Sequence, residues 1–250
     1  VLAFLVPVKS PLASRDWNRL SALFERSLRS ICRQDSDDFT VTVVCNERPR
    51  TRFEHPAVRY LDVDMPPADN TAESREADRA RKLQVGAAEL RHSGASHIMA
   101  VDADDCVSRR IASVVNNSPT DAPGWLLREG YVWKEGSRVS YRNVKNFNHT
   151  CGSTAITRRD LFEHMFRAGP RYTFEEPALP AGIQHGSFPF AAVVYTILNG
   201  ENIFLDAGLV ESARSREGIA RFYARKAVRY RPALVTRSLR NEFGLYDLPA

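Results

Sequence analysis

Apolar positions in the first half of the chain follow two alternating periods. Val1-Leu2-Ala3-Phe4-Leu5-Val6-Pro7-Val8 is a short continuous apolar run, the signature of a strand buried on both faces. Trp17, Leu20, Phe24, Leu28 and Ile31 then recur at helical spacing. Phe39–Cys45 is β-branched and continuous, and Val58–Val63 is a third, shorter strand pattern. After a polar stretch, Ala80, Leu83, Ala87 and Leu90 mark one face of a second helix, and the apolar run at His97–Val101 predicts a fourth strand. This βαββαβ order predicts an α/β fold with a mainly parallel central sheet flanked by helices.

The second half is less regular. Tyr131–Tyr141 alternates around Glu135-Gly136 and predicts a hairpin, the start of a smaller second sheet. Gly152–Thr157 reads as a strand with a helix over Arg159–Arg167 behind it. A proline-containing loop carrying Glu175 and Glu176 leads to Gln184-His185-Gly186-Ser187. Phe190–Leu198 reads as an apolar helix and Asn202–Leu209 as a last strand. Near the C-terminus Ile219, Phe222, Tyr223, Ala227 and Tyr230 form one helical face, while Arg214, Arg221, Arg225 and Arg229 form another. Such a helix either docks on the domain with a solvated basic edge or makes peripheral contact with an anionic membrane surface; the ordinary width of its apolar face favours docking.

Composition narrows the classes. A chain of 250 residues can bury a sizeable core, and no segment approaches the roughly 18 apolar residues of a membrane span. The opening run lacks the basic n-region of a signal peptide. Cys32, Cys45, Cys106 and Cys151 show no metal-type spacing, so free thiols in a reducing cytoplasm are expected. Thirty-five basic against thirty acidic residues give a net charge of +5, suited to anionic partners such as nucleotides and phosphates. No zinc-finger spacing or RNA-binding aromatic signature points to nucleic acid.

The chemistry concentrates in Val101-Asp102-Ala103-Asp104-Asp105, where a buried strand ends in three carboxylates within four residues. Charges are rarely buried unless paired or bound to metal, and the carboxyl ends of strands are where open α/β sheets bind ligands. These aspartates therefore either hold a hard divalent cation together with a phosphorylated ligand, or cap the helical pattern beginning at Ser108 and sit in water.

Taken together, Leu5-Val6-Pro7-Val8, Val43-Val44-Cys45-Asn46-Glu47, the Asp102-Ala103-Asp104 motif on the fourth strand and Gly152–Phe162 resemble the GT-A glycosyltransferases, closest to family-2-like enzymes. The resemblance covers roughly residues 1–210. It implies a Rossmann-like catalytic domain with a nucleotide-sugar half at 1–115 and an acceptor half at 116–210, followed by a basic helical extension at 211–250. The implied activity is transfer of a sugar, in all expectation a hexose, from a nucleotide-diphosphate donor (UDP favoured) to a hydroxyl of a glycan, lipid or small molecule, with Mn²⁺ or Mg²⁺. A role in polysaccharide biosynthesis follows from the same resemblance.

It also implies roles for individual residues. Pro7 and Val8 line the base, and Glu47 accepts a hydrogen bond from it. Lys82, with Arg79 or Arg81, reaches the ribose or phosphates. Asp102 and Ala103 contact the donor, and Asp104 binds the metal with Asp102 beside it. Many inverting members carry a Glu-Asp pair where this chain has Ala181–Phe188. His185 stands in that place, as metal ligand in preference to base, with Glu175 and Glu176 as fallback bases and Asp105 grouped with the catalytic acids; the stereochemical outcome stays open. Tyr131, Trp133 and Tyr141, with Asn146, Asn148 and His149, either recognise the acceptor or pack the second sheet. Two other classes remain: a nucleotidyltransferase, for which Lys9-Ser10-Pro11-Leu12 lacks the glycine-rich loop, and a non-catalytic module whose carboxylates hold Ca²⁺.

Overall fold

In the computed structural model, the described residues are 1–69, 71–167, 171–172, 178–202 and 229–248. Four parallel strands form the centre: β1 (Leu2–Pro7), β2 (Phe39–Cys45), β3 (Val58–Asp62) and β4 (His97–Ala100). Helix α1 (Trp17–Ile31) connects β1 to β2, and α2 (Ala72–Leu90) connects β3 to β4. Asp16 caps α1, its carboxylate accepting from the N–H groups of Asn18 and Arg19 at 2.9 and 3.1 Å. Thr71 caps α2 through Ser74 N–H.

Alternation along β1 explains how both faces are covered. Leu2, Phe4 and Val6 join Leu20, Phe24, Leu28 and Ile31 of α1 in one apolar cluster. Ala3 and Leu5 point the other way, into a cluster with Ala80, Leu83 and Leu90 of α2. Gly86 lets α2 approach β1 closely, since a Cβ there would collide with Leu5.

The chain continues through β5 (Cys106–Val107), α3 (Ile111–Asn116), β6 (Gly124–Leu126), the hairpin β7 (Gly130–Lys134) and β8 (Val139–Asn143), and β9 (Ala155–Arg158). Then come β10 (Phe166–Arg167), β11 (Arg171–Tyr172), β12 (Gly186–Ser187), β13 (Val193–Ile197), β14 (Tyr230–Leu234) and α4 (Arg237–Phe243). Among the described residues the main sheet has seven strands in the order β12-β6-β9-β4-β1-β2-β3, with β9 antiparallel to its neighbours. The second, among the same residues, has five, β14-β8-β7-β13-β5. Residues 101–105 pass from β4 in the first sheet to β5 in the second, so the aspartates lie at the junction of the two.

Several expectations are corrected. Phe190–Leu198 is not a helix: Val193–Ile197 is a strand between β7 and β5. A continuous apolar run cannot distinguish helix from strand, and here β-branched Val193, Val194, Thr196 and Ile197 pair with strands on either side. The helix expected over Arg159–Arg167 is a 3₁₀ segment, Arg159–Met165, followed by β10. Most of the expected basic helix, and the expected strand over Asn202–Leu209 beyond Asn202, lie outside the described residues. Tyr230, placed on that helix by its spacing, begins β14, which pairs with β8. Phe243 of α4 is buried with Cys106, Trp133, Val194 and Leu245, so residues 230–248 are built into the second sheet and its core.

One buried ion pair ties these parts together. Arg26 of α1 is fully buried, and its Nη1 donates to both carboxylate oxygens of Glu135 at 2.8 and 2.7 Å and to the Tyr246 carbonyl at 3.2 Å. Its guanidinium lies 5.3 Å from the Trp133 ring centroid. Among the described residues no helix is long and apolar enough to cross a membrane, and all four cysteines are free and buried.

Candidate active site

In the main sheet β1 has β2 on one side and β4 on the other, so successive connections leave in opposite directions and open a crevice beyond the carboxyl ends of β1 and β4. Pro7, Val8 and Lys9 leave β1 into this crevice, and Asp102, Ala103 and Asp104 enter it from β4. Arg79 and Lys82 of α2 line the third side, with Gly152, Tyr172, Tyr195, Glu201 and Asn202 completing it. Of the residues singled out by sequence, Pro7, Val8, Arg79, Lys82, Asp102, Ala103 and Asp104 thus meet in one cleft.

The cleft is charged and internally balanced. Arg79 Nε donates to Asp102 Oδ1 at 2.6 Å, Nη2 donates to the Gly152 carbonyl at 3.3 Å, and the guanidinium stacks 4.9 Å from the Tyr172 ring centroid. A side chain at 152 would place its Cβ 2.6 Å from both Arg79 Nη2 and Asp102 Oδ2, so it would displace the two groups from this arrangement. Lys82 is fully buried against Asp78, its i−4 neighbour, at 2.7 Å. Burial lowers its pKa, with the Asp78 hydrogen bond opposing that shift. Arg75, Arg79 and Lys82 therefore form a stripe along α2 that faces the cleft.

Each aspartate has a different environment. Asp102 retains about a quarter of its side-chain exposure, at 27%. Asp104 Oδ2 accepts from Asn199 Nδ2 at 2.7 Å and Asn202 Nδ2 at 3.1 Å. Burial, and then the nearby Asp102 charge, raise its pKa to about 6 against the Asn199 hydrogen bond. Asp105 does not line the cleft. It is fully buried beneath it, where Oδ2 accepts from Ser153 Oγ at 2.7 Å and Cys151 Sγ at 3.1 Å, and Oδ1 from Thr196 N–H at 3.4 Å. Burial and the Asp104 charge push its pKa well above the carboxylate range. Ser153 Oγ also accepts from Asp102 N–H at 2.8 Å, so Ser153 and Asp105 support the aspartate turn from below.

Other expected site residues are elsewhere. His185 Nε2 is paired with Thr157 Oγ1 at 3.0 Å, and its ring lies against Gly124. Thr157 sits opposite Ile98 near the start of β4, whereas the aspartates follow the other end of that strand. His185 is thus at the opposite end of the strands from Asp104, where burial lowers its pKa to about 4. Its position in the chain, between the prolines and β12, does not carry it to the cleft because β12 pairs with β6. Glu47 is exposed in the turn after β2, and Arg81 is exposed on the outward side of α2; neither lines the cleft. Glu175 and Glu176 lie outside the described residues.

In the hairpin, Trp133 is fully buried with Nε1 donating to the Ser137 carbonyl at 2.8 Å. Tyr131 packs edge-on against Phe243 with centroids 5.6 Å apart. Those two pack the second sheet, while Tyr141 is exposed on β8. Asn148 is buried, Asn146 partly so, and His149 is exposed; none lines the cleft, although Thr150 beside them does.

Sequence reading missed Lys9, Arg75, Asp78, Ser153, Asn199, Glu201 and Asn202. The 75-79-82 spacing was a legible signal on a helix already assigned. Asn199 and Asn202 carried none: they reach Asp104 across more than ninety residues of chain.

For a divalent cation, the donor chemistry is the test. Among the described residues no three His, Cys, Asp or Glu side chains come together as a metal-ligand set. Asp104, with its charge opposed by burial, and Asp102 beside it supply two carboxylates. That suits an ion such as Mg²⁺, which takes one or two carboxylates and completes its shell with phosphate oxygens and water. The residues fit a cation that arrives with a diphosphate.

No protein-family model matches the chain, and no curated protein matches it. Among solved structures it is similar to S. aureus TarS residues 1–349, at 13% identity over 78% of this chain and 60% of that one, with a TM-score of 0.42. A structure of S. aureus TarS matches at 13% identity over 78% of this chain and 36% of that one, TM-score 0.41. The 1–349 fragment in complex with UDP matches at 12%, covering 78% and 60%, TM-score 0.39. The chain spans 60% or less of the length of each. Likeness at these scores carries no weight for activity.

Proposed function

We propose that this chain is a glycosyltransferase that uses a nucleoside-diphosphate sugar and a divalent cation, Mn²⁺ or Mg²⁺, to glycosylate a hydroxyl acceptor. One observation carries the reading: Asp102 and Asp104 share a cleft at the sheet's switch point with Arg79 and Lys82. Carboxylates alone suit a cation, and cationic side chains alone suit an anion. Their combination suits a diphosphate accompanied by its metal.

The residues divide the work. Pro7 and Val8 form the apolar lip against which a base can lie. Arg79 binds and orients the diphosphate, exchanging its Asp102 partner for phosphate oxygen, and the buried Lys82 adds positive charge behind it. Asp104, with Asp102, would hold the cation. When bound, that cation supplies compensation for the charge that develops on a departing nucleoside diphosphate. Ser153, Cys151 and Asp105 keep the aspartate turn rigid, so its geometry is set before the ligand arrives.

Calorimetric titration with UDP, GDP and TDP, each with and without Mn²⁺, tests the proposal, followed by the corresponding sugar nucleotides. Mn²⁺-dependent binding of one nucleotide is expected, with loss of the Mn²⁺ dependence in Asp104→Asn, which keeps an acceptor for Asn199 and Asn202. Nucleotide binding that ignores both Mn²⁺ and this substitution refutes the metal role. Release of pyrophosphate from a nucleoside triphosphate would convert the assignment to a nucleotidyltransferase, and binding of Ca²⁺ without any nucleotide would convert it to a carbohydrate-binding module.

A further inference from the structure

The turn that follows β13 holds both lips of the cleft at once. Leu198 has φ 56 and Gly200 φ 92, and the chain bends through residues 198–200. Leu198 is the one non-glycine residue with positive φ among those described, and it is 37% exposed. Burial of its side chain therefore does not account for the conformation, and such backbone persists where surrounding bonds over-determine it.

Those bonds run in two directions. Toward β4, Asn199 and Asn202 both donate to Asp104 Oδ2, and Thr196 Oγ1 donates to the Asp104 carbonyl at 2.5 Å. Asn202 Nδ2 also donates to the Thr196 carbonyl at 2.9 Å, and Asn199 Oδ1 accepts from Glu201 N–H at 2.9 Å, which locks the amides in place. Toward β1, Glu201 Oε1 accepts from the N–H groups of Arg15 and Asp16 at 3.1 and 2.8 Å, and Oε2 accepts from Ser14 Oγ at 3.2 Å. Lys9 pairs with the same carboxylate, and its Nζ donates to the Glu201 carbonyl at 2.9 Å. The Glu201 side chain is only 2% exposed.

We propose that Asn199, Glu201 and Asn202 are positioning residues of the donor site, the two amides setting Asp104 for a cation and Glu201 setting Lys9 and the segment between β1 and α1 for the nucleotide. The proposal rests on the donor-site reading above. Neutral amides suit the first task, because they fix the carboxylate without supplying a positive charge that would compete with the cation. A carboxylate suits the second, because a buried Glu201 satisfies two backbone donors and a lysine together.

The test uses the full chain and calorimetric titration, first with UDP alone and then with Mn²⁺ at saturating UDP. Asn199→Ala/Asn202→Ala is expected to weaken Mn²⁺ binding at least tenfold while changing metal-free UDP affinity less than twofold. Glu201→Ala is expected to weaken metal-free UDP binding about tenfold, with most of the loss recovered in Glu201→Gln, whose amide oxygen still accepts from Arg15 and Asp16. Melting temperatures check the fold; if the double variant unfolds, the single Asn199→Ala, which leaves Asn202 on the same oxygen, is measured in its place and should lose Mn²⁺ affinity at least threefold. Asparagine variants that bind Mn²⁺ like the parent, or that lose Mn²⁺ and UDP equally, overturn the amide role. Equal losses in Glu201→Ala and Glu201→Gln overturn the Glu201 role. A parent chain that prefers GDP or TDP is carried through the same titrations with that nucleotide in place of UDP; one that binds neither Mn²⁺ nor any of the three overturns the donor-site reading itself, a result distinct from either.

Discussion

Replacing Glu135 by alanine should destabilise the protein severely without touching the cleft. Arg26 is fully buried and the Glu135 side chain is 13% exposed. The substitution removes two short hydrogen bonds and the only negative charge paired with that guanidinium among the described residues. The Tyr246 carbonyl at 3.2 Å is a neutral acceptor and does not replace it. Leaving a buried charge without its partner costs about 3–5 kcal/mol. At about 2–4 °C per kcal/mol for a chain of this size, the melting temperature should fall by roughly 6–20 °C.

The reverse truncation is milder. In Arg26→Met the stranded Glu135 carboxylate can turn to water, and methionine fills part of the apolar volume beside Trp133. Arg26→Met/Glu135→Ala should therefore be more stable than Glu135→Ala alone, a sign reversal that a double-mutant cycle by urea denaturation reads directly. Raising the salt concentration should change the coupling little, because the pair is shielded from mobile ions. Nucleotide affinity of the folded Glu135→Ala protein should match that of the parent. A loss below about 1 kcal/mol, or a double variant less stable than Glu135→Ala, would refute the reasoning.

Three further outcomes follow from the geometry. Gly152→Ala should lower donor affinity about tenfold, measured by calorimetry, because its methyl would force Arg79 and Asp102 apart; unchanged affinity would remove that pair from the site. His185 has a folded pKa of about 4 against an ordinary 6.5, so its contribution to stability is full above about pH 6.5 and is lost as pH falls toward 4. His185→Gln should accordingly flatten the fall in unfolding free energy over that window, by roughly 1–3 kcal/mol after discounting for the ring's partial exposure, as read by urea denaturation at each pH, and should leave Mn²⁺ affinity unchanged. Asp78→Asn should weaken nucleotide binding severalfold, seen in the same titrations, because the fully buried Lys82 would lose the carboxylate that keeps it charged and oriented.

Much of the fold and part of the site were legible in the amino-acid sequence. The periods of β1, α1, β2, β3, α2 and β4 follow from which side chains must leave water, a local pattern needing no knowledge of the partner. Asp102, Ala103 and Asp104 were legible for a related reason: charge at the end of a buried strand has few places to go. Lys82, with Arg79 or Arg81, came from the family resemblance, and the helix turns Arg79 and Lys82 to the cleft and Arg81 away from it. The tertiary structure alone decided the rest. Val193–Ile197 is a strand because β5 and β7 flank it, and an apolar run carries no mark of its neighbours. The family resemblance sets His185 beside the aspartates, yet the pairing of β12 with β6 carries it to the far edge of the sheet. Asp105 sits one residue from a cleft residue but faces inward onto Ser153 and Cys151. Asn199, Glu201 and Asn202 meet Asp104 and Lys9 only after both sheets have closed. Local spacing encodes burial and face, while the convergence of distant polar side chains depends on strand order, which no short stretch of sequence contains.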